Sequence, residues 1–433
     1  MKKALKFEYL LGIAMIGFMF PIHLKVGFTN MGIFNFYVSM PIFLLFAFIF
    51  LYKSVKFNFW KKKIVLTYLA LCGWYCVAFF FRFITKQYFY QSLEIAFWSL
   101  APISVFILLL HGYLNYNKVC SSMFYAISFI DIFSFIYHVF YLNQLRSELL
   151  GNINMLVFFN IFSIYLSCFY YYMNTPNKIN TLFFIVNMFY SLFVIILSGS
   201  RAGVLIGLSS YIFLLIFLGR TKKFRKVLGI VIFLSLFIIS YFALADICGS
   251  RYLIQRGFNY STIGTSISES KNIGADVEGD ENVEAIQNAI QEAMQAASKE
   301  GDIKSIQILN DMTRISMWKN AITEIRKSPI IGTGKVGIYR TPDGSQTAHN
   351  FFLEYWLVFG GIGIIIWITL IIQILFILWK KTVQNRPLFC YTLLFLASTM
   401  IFSCVEPTLS NTFGPFIVWC TLGILIAYAD KVN

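Results

Sequence analysis

Arg201 lies within Ser198-Gly199-Ser200-Arg201-Ala202-Gly203, at the point where one apolar segment ends and the next begins. An arginine at that depth needs an anionic or carbonyl partner. Its planar fork suits phosphate oxygens, and the flanking serines and glycines supply donors and let a ligand approach the backbone. The plainer reading is a snorkelling arginine on a tight turn. Arg314 stands one helical turn ahead of Trp318. Near a helix N-terminus it adds to a field that already favours anions, although Lys319, Arg326 and Lys327 beside it also fit a solvated charged face. His349-Asn350 falls where a polar segment returns to an apolar one, followed by Glu354 and Gly360-Gly361-Ile362-Gly363. A neutral imidazole there can take the proton of a hydroxyl group. Asn350 and Glu354 share a helical face and can orient the imidazole or a sugar; a lone histidine at such a boundary is also commonly structural. Glu406, just before Pro407, is the remaining acidic candidate on the same side, and Asp131 and His138, two turns apart in an apolar segment, read as a pair.

The elements that hold these residues follow from composition. The chain has 433 residues, of which 58% are hydrophobic and only 13% charged. Globular domains carry about 25% charged residues because their surface faces water. Half that charge, with 48 Phe and 25 Tyr, means that most of the surface faces lipid. The expected fold is an all-α polytopic membrane protein. Its candidate spans are 8–28, 31–52, 64–81, 93–111, 121–142, 153–173, 181–198, 203–219, 227–245, 351–379, 388–405 and 413–429, each close to the roughly 20 residues a crossing needs. The tenth is over-long, and its glycine run predicts an entry segment that bends before the true crossing. The first has no small-residue cleavage site after it and reads as a retained span.

Lys and Arg set the expected orientation. Twelve spans with both termini cytoplasmic place Lys2, Lys3, Lys6, Lys53, Lys56, Lys61, Lys62, Lys63, Lys118, Lys178, Arg220, Lys222, Lys223, Arg225, Lys226, Lys380, Lys381, Arg386 and Lys431 inside. The short outer loops and adjoining span ends receive only Lys25, Arg82, Lys86, Arg146 and Arg201. The net charge of +15 is mostly this signal and does not imply nucleic acid. Three regions result: spans one to nine over 1–245, an extracytoplasmic loop over 246–349, and spans ten to twelve over 350–433. The loop is too long for an ordinary connection, which points to function. It reads as a polar Gly/Ser-rich stretch over 264–280, an amphipathic helix over 281–299, and a second helix over 311–326 with Ile315, Trp318, Ile322 and Ile325 as its apolar stripe, ended by Pro329 and Gly332.

No Walker loop, Asp-x-Asp, Ser-x-x-Lys or Gly-x-Ser-x-Gly element stands out, and Cys72 with Cys76 completes no metal set. No metal and no cofactor are expected. The motifs resemble, in order and topology, those of the O-antigen ligase and O-antigen polymerase superfamily of bacterial membrane glycosyltransferases. Ser-Gly-Ser-Arg201-Ala-Gly resembles the family's arginine turn. Arg314-Ile-Ser-Met-Trp318 with Pro329-Ile-Ile-Gly332-Thr-Gly334 resembles its loop helix and exit. His349-Asn350, nine residues, Gly360, two residues and Gly363 is similar to the ligase signature. The resemblance covers about 198–365; the first six spans share only number and hydropathy, and the acidic insertion around Glu278–Asp302 departs from the compact family loop.

The resemblance implies a metal-independent glycosyltransferase at the outer face of the bacterial cytoplasmic membrane. Its donor would be a polyprenyl-diphosphate-linked oligosaccharide and its acceptor a glycan hydroxyl. The partners implied are the lipid bilayer and other glycan-assembly membrane proteins, with no nucleic acid. Arg201 and Arg314 become diphosphate ligands, His349 the acceptor base or positioner, and Asn350, Glu354 and Glu406 supporting residues. Polymerase is favoured over ligase because divergent, Phe-rich early spans are commonplace among polymerases. A transporter or lipid-linked glycan flippase shares the twelve-span plan, but it usually carries internal repeats and midplane ionisable groups. A scaffold within a glycan-assembly complex predicts that changing Arg201 or His349 does nothing.

Overall fold

The computed structural model describes residues 7–19, 23–28, 32–37, 39–56, 62–85, 88–141, 153–174, 177–197, 200–219, 225–247, 315, 317–335, 339–341, 344–346, 348–405 and 413–432. The expected spans appear as α1 (Phe7–Met19), α2 (Met40–Lys56), α3 (Lys63–Thr85), α4 (Phe89–Leu110), α5 (Tyr116–Tyr141), α6 (Ile153–Met173), α7 (Lys178–Leu197), α8 (Arg201–Gly219) and α9 (Arg225–Ile247), then α11 (Phe351–Thr382), α12 (Arg386–Val405) and α13 (Phe413–Val432). Among the described residues, eight helices are long and apolar enough to cross a membrane. A further helix, α10, covers 317–327 in the loop region. The protein is a predominantly helical polytopic membrane protein, with two small antiparallel strand pairs among the described residues.

The first two spans need correction. α1 has 13 residues, so it rises only about 20 Å. The chain then forms strand β1 (His23–Phe28) and strand β2 (Gly32–Tyr37), paired antiparallel with His23 opposite Tyr37 and Phe28 opposite Gly32. Leu24, Val26 and Phe28 alternate with His23, Lys25 and Gly27, a period of two that suits a strand and that a hydropathy average over twenty residues erases. β2 leans on α4, where Tyr37 meets Trp98 edge-on at 5.7 Å between ring centres.

Bundle packing follows small residues. Gly423 on α13 lies against α4, where an added Cβ would stand 2.8 Å from Leu109 Cδ1. Gly12 on α1 meets α5, and its N–H donates to Ser122 Oγ at 3.1 Å. These contacts let helix backbones approach closely where lipid gives no hydrophobic drive for association. The most enclosed span is α6, 94% of whose apolar window is buried, with α5, α7 and α8 packed around it. Pro102 inside α4 cannot donate to the helical ladder, and nearby Tyr68 Oη on α3 donates to Leu100 O at 3.3 Å.

The amphipathic segment over 281–299 and the polar stretch over 264–280 lie outside the described residues. α10 ends at 327, just before Pro329 as expected, but its buried stripe is rotated. Met317, Ala321 and Ile325 face inward, whereas Ile315 and Ile322 are exposed. Hydropathy alone does not reveal this face: Ala321 scores weakly, yet its small size is what lets α10 sit close.

Candidate functional site

The glycine run bends α11 as its composition predicts. Gly360 has φ 71° and ψ −178°, a backbone conformation essentially restricted to glycine, and it divides α11 into a half-helix over 351–359 and a long crossing. Such a break frees backbone groups inside the membrane region, where each needs a partner. The turn over 328–335 and side chains of α3 provide them. Leu357 O accepts from Thr333 N at 2.8 Å and Gly334 N at 3.2 Å, and Phe359 O accepts from Trp74 Nε1 at 2.9 Å. Val358 O accepts from Arg82 Nη2. On the other side of the break, Gly361 N donates to Pro329 O at 2.8 Å and Ile362 N to Ile330 O at 3.5 Å. Trp356 Nε1 donates to the same Pro329 O at 2.9 Å.

The Pro-Ile-Ile-Gly-Thr-Gly motif therefore works as a plug for a broken helix. Gly332 and Gly334 have φ 81° and 77°, and a Cβ on Gly332 would lie 2.6 Å from Gly360 N. Aromatic stacking completes the joint: Tyr75 of α3 lies over Phe359 at 4.1 Å and is hydrogen-bonded to Tyr355 through the two hydroxyls.

His349 sits at the free end of the half-helix. It is half-buried and has φ 48°, one of two non-glycine residues with positive φ among the described residues. A strained residue held in place by its surroundings is a common mark of a functional position. Asn350 caps the half-helix: its Oδ1 accepts from Phe352 N at 3.0 Å and Leu353 N at 3.2 Å, and its Nδ2 donates to Cys404 O of α12 at 3.0 Å. Asn350 thus fixes where His349 emerges. Glu354 is buried in the first turn, with its N–H on Asn350 O at 3.1 Å. A carboxylate there suits the positive end of the helix dipole.

The loop reaches His349 through α10 and a two-stranded ribbon, β3 (Tyr339–Thr341) paired with β4 (Gly344–Gln346). Trp318 Nε1 donates to Ala348 O at 2.9 Å and so anchors the residue before His349 to α10. Glu324 on α10 binds Lys327 at 2.6 Å and Lys335 at 2.8 Å, tying the helix to the plug. Burial raises the Glu324 carboxyl, but the hydrogen bonds and charges of the two ammonium groups outweigh it and hold the group below its ordinary range.

The arginine turn folds as a helix start. Arg201 opens α8, and Ser200 caps it, its Oγ accepting from Gly203 N at 3.2 Å. Gly203 serves packing, since a Cβ there would meet Val157 Cγ1 of α6 at 2.4 Å. α8 and α11 both pack on α12, and chain direction puts the N-termini of α8 and α11 at the same end of the bundle as the C-terminus of α12. The Arg201 side chain, Arg314 and Glu406 lie outside what is described. Asp131 accepts from Ser163 Oγ of α6 at 3.0 Å; the His138 side chain is outside the described part.

Arg82 is the residue that sequence reasoning passed over. It is 4% exposed near the C-terminal end of α3, bonded to Val358 O and stacked over Phe359 at 5.5 Å. A Cβ on Gly334 would lie 2.4 Å from its Nε. The signal was present: like Arg201, it is a positive charge at a span end where the orientation rule disfavours one.

Residues 186–368 match the protein family described as O-antigen ligase. Over that stretch the chain is similar to the O-antigen ligase and polymerase superfamily. The matched stretch runs from α7 through the loop and the helix break into α11, so it contains Arg201, Arg314, Trp318, the plug and His349. A search of curated proteins gave no match. The match and the apolar helices together support a membrane protein with a part in glycan processing.

Proposed function

We propose that the protein is a glycan polymerase that transfers oligosaccharide repeat units from a polyprenyl-diphosphate carrier to a sugar hydroxyl at the outer face of the cytoplasmic membrane. The observation that carries this reading is His349, held at positive φ on the capped end of a half-helix inside the family-matched region. The acceptor hydroxyl attacks the anomeric carbon of the donor, and its proton passes to the His349 imidazole. The bond from that carbon to the diphosphate oxygen breaks, and the electron pair leaves with the polyprenyl diphosphate. Arg201 and Arg314 bind the diphosphate and offset the charge that develops on it, so no metal is required. Asn350 and Glu354 set the exit angle of His349, and Glu406 is the further supporting residue.

The ligase reading is the second one, favoured by the His349-Asn350 to Gly363 spacing and by the description of the matched family. The two share chemistry and differ in acceptor. The test is the glycan output of cells lacking the gene, complemented with wild type, His349→Ala or Arg201→Ala at matched membrane levels. Polymerase predicts that wild type restores long polymer and both variants leave single lipid-linked units outside. Long polymer retained on its lipid carrier would indicate ligase instead. Units trapped on the cytoplasmic side would indicate a flippase, and variants that work like wild type would remove the proposed site.

A further inference from the structure

Glycan transfer at one end of the bundle leaves a polar seam in its middle unused. Along α5 run Tyr125, Ser128, Asp131 and Ser134; along α6, Asn160, Ser163, Ser167 and Tyr170; along α7, Asn180, Asn187 and Ser191. Spacing of three, four or seven residues keeps the α6 set and the α7 set each on one helix face, and on α5 it keeps Ser128 and Asp131 adjacent. Hydrogen bonds join the faces in rungs. Tyr125 Oη donates to Asn180 Oδ1 at 2.9 Å, and Asn180 Nδ2 donates to Tyr170 Oη at 3.1 Å. Asn187 Nδ2 donates to Ser128 Oγ and Ser167 Oγ, both at 3.0 Å, and Ser163 Oγ donates to Asp131 Oδ2 at 3.0 Å.

The seam's chemistry is one-sided. Asp131, Asn160, Asn187 and Ser191 are each 0% exposed. Asp131 Oδ1, Asn160 Oδ1, Asn187 Oδ1 and Ser191 Oγ have no hydrogen-bond partner among the described residues. What is left over is oxygen, on three helices, with a single carboxyl among it. A lone buried carboxylate is costly unless a cation accompanies it. The basic residues on α5, α6 and α7 are Lys118 and Lys178 near helix starts and His138 two turns beyond Asp131. One acidic charge amid amide and hydroxyl oxygens suits a hard monovalent ion better than a divalent one, which takes more oxygens and more carboxylates.

We propose that Asp131, with the neighbouring amide and hydroxyl oxygens of α6 and α7, binds a dehydrated sodium ion that ties these three helices together. None of these residues is one assigned a role in glycan transfer above.

The test uses the purified full chain in detergent, with unfolding temperature followed as sodium chloride replaces choline chloride at constant ionic strength. Wild type should rise by several degrees and saturate. Asp131→Asn, which keeps shape and removes charge, should lose the sodium response while retaining the choline baseline. If Asp131→Asn does not yield folded protein, Asn160→Ala should weaken the apparent sodium affinity at least tenfold, and labelled sodium should bind wild type in a one-to-one ratio. A wild-type curve equal in sodium and choline, or an Asp131→Asn curve that keeps the full sodium response, overturns the proposal.

Discussion

Replacing Gly360 with alanine tests the broken helix directly. The new Cβ would stand 2.1 Å from Ile330 O and 2.4 Å from Ile330 C, both backbone atoms that cannot swing away. The backbone itself is unsuited to any side chain at φ 71°, which costs about 1–3 kcal/mol. Relief requires the plug to lift, breaking Gly361 N to Pro329 O and Thr333 N to Leu357 O, at about 1 kcal/mol each. Together these make roughly 3–5 kcal/mol against docking, or about 10² to several times 10³ in the docked to undocked ratio. The assay is limited trypsin digestion of purified protein in detergent, read at Lys327 and Lys335 on either side of the plug. Gly360→Ala should be cut at Lys335 at least tenfold faster than wild type and should lose glycan output. Gly73→Ala, where nothing lies within 4 Å of the added Cβ, should behave as wild type. Wild-type cleavage and output from Gly360→Ala would refute the claim that the plug and the break hold each other.

Arg82→Ala leaves Val358 O without its donor and should cost about 1–3 kcal/mol, seen as a lower unfolding temperature and reduced glycan output. Arg82→Lys should fall between, because an ammonium keeps charge but not the flat contact over Phe359. His111, in the turn after α4, is pushed down to about 4 by burial and by the nearby charges of Lys62 and Lys381. The unfolded chain therefore binds its proton first as pH falls from 6.5 towards 4. Stability should drop across that window by up to about 1.4 kcal/mol per pH unit, and His111→Gln should flatten the slope in a thermal-unfolding series at about pH 4.5 to 7.

Much of the architecture was legible because a bilayer allows few backbone solutions. Apolar length located the helices, and the glycine run marked the bend in α11. The hairpin over 23–37 was not legible in the same way: spans drawn through it borrow apolar residues from α1 and α2, which hides its polar positions and its period of two. The buried face of α10 turns on Ala321, whose value lies in its small volume and not its hydropathy. Asn350 was readable as a polar residue beside a histidine, but its role as a cap needs the helix boundary. Arg82 was counted as a topology charge because its partners, Val358 and Phe359, lie far along the chain. Backbone carbonyls freed by a distant helix break leave no local trace in sequence.

The half-helix over 351–359 is also a lever. Nine residues at about 1.5 Å each give an arm of about 13 Å between the pivot at Gly360 and its tip beside His349. A tilt of about 4° moves that tip by about 1 Å, a displacement that can cost on the order of 10²-fold in a positioned reaction. The precision of the site is therefore set at the fulcrum. Trp74, Arg82 and the 328–335 turn fix the pivot, while Asn350 on Cys404 steadies the far end. Any motion of α3 relative to α12 reaches His349 magnified by that arm.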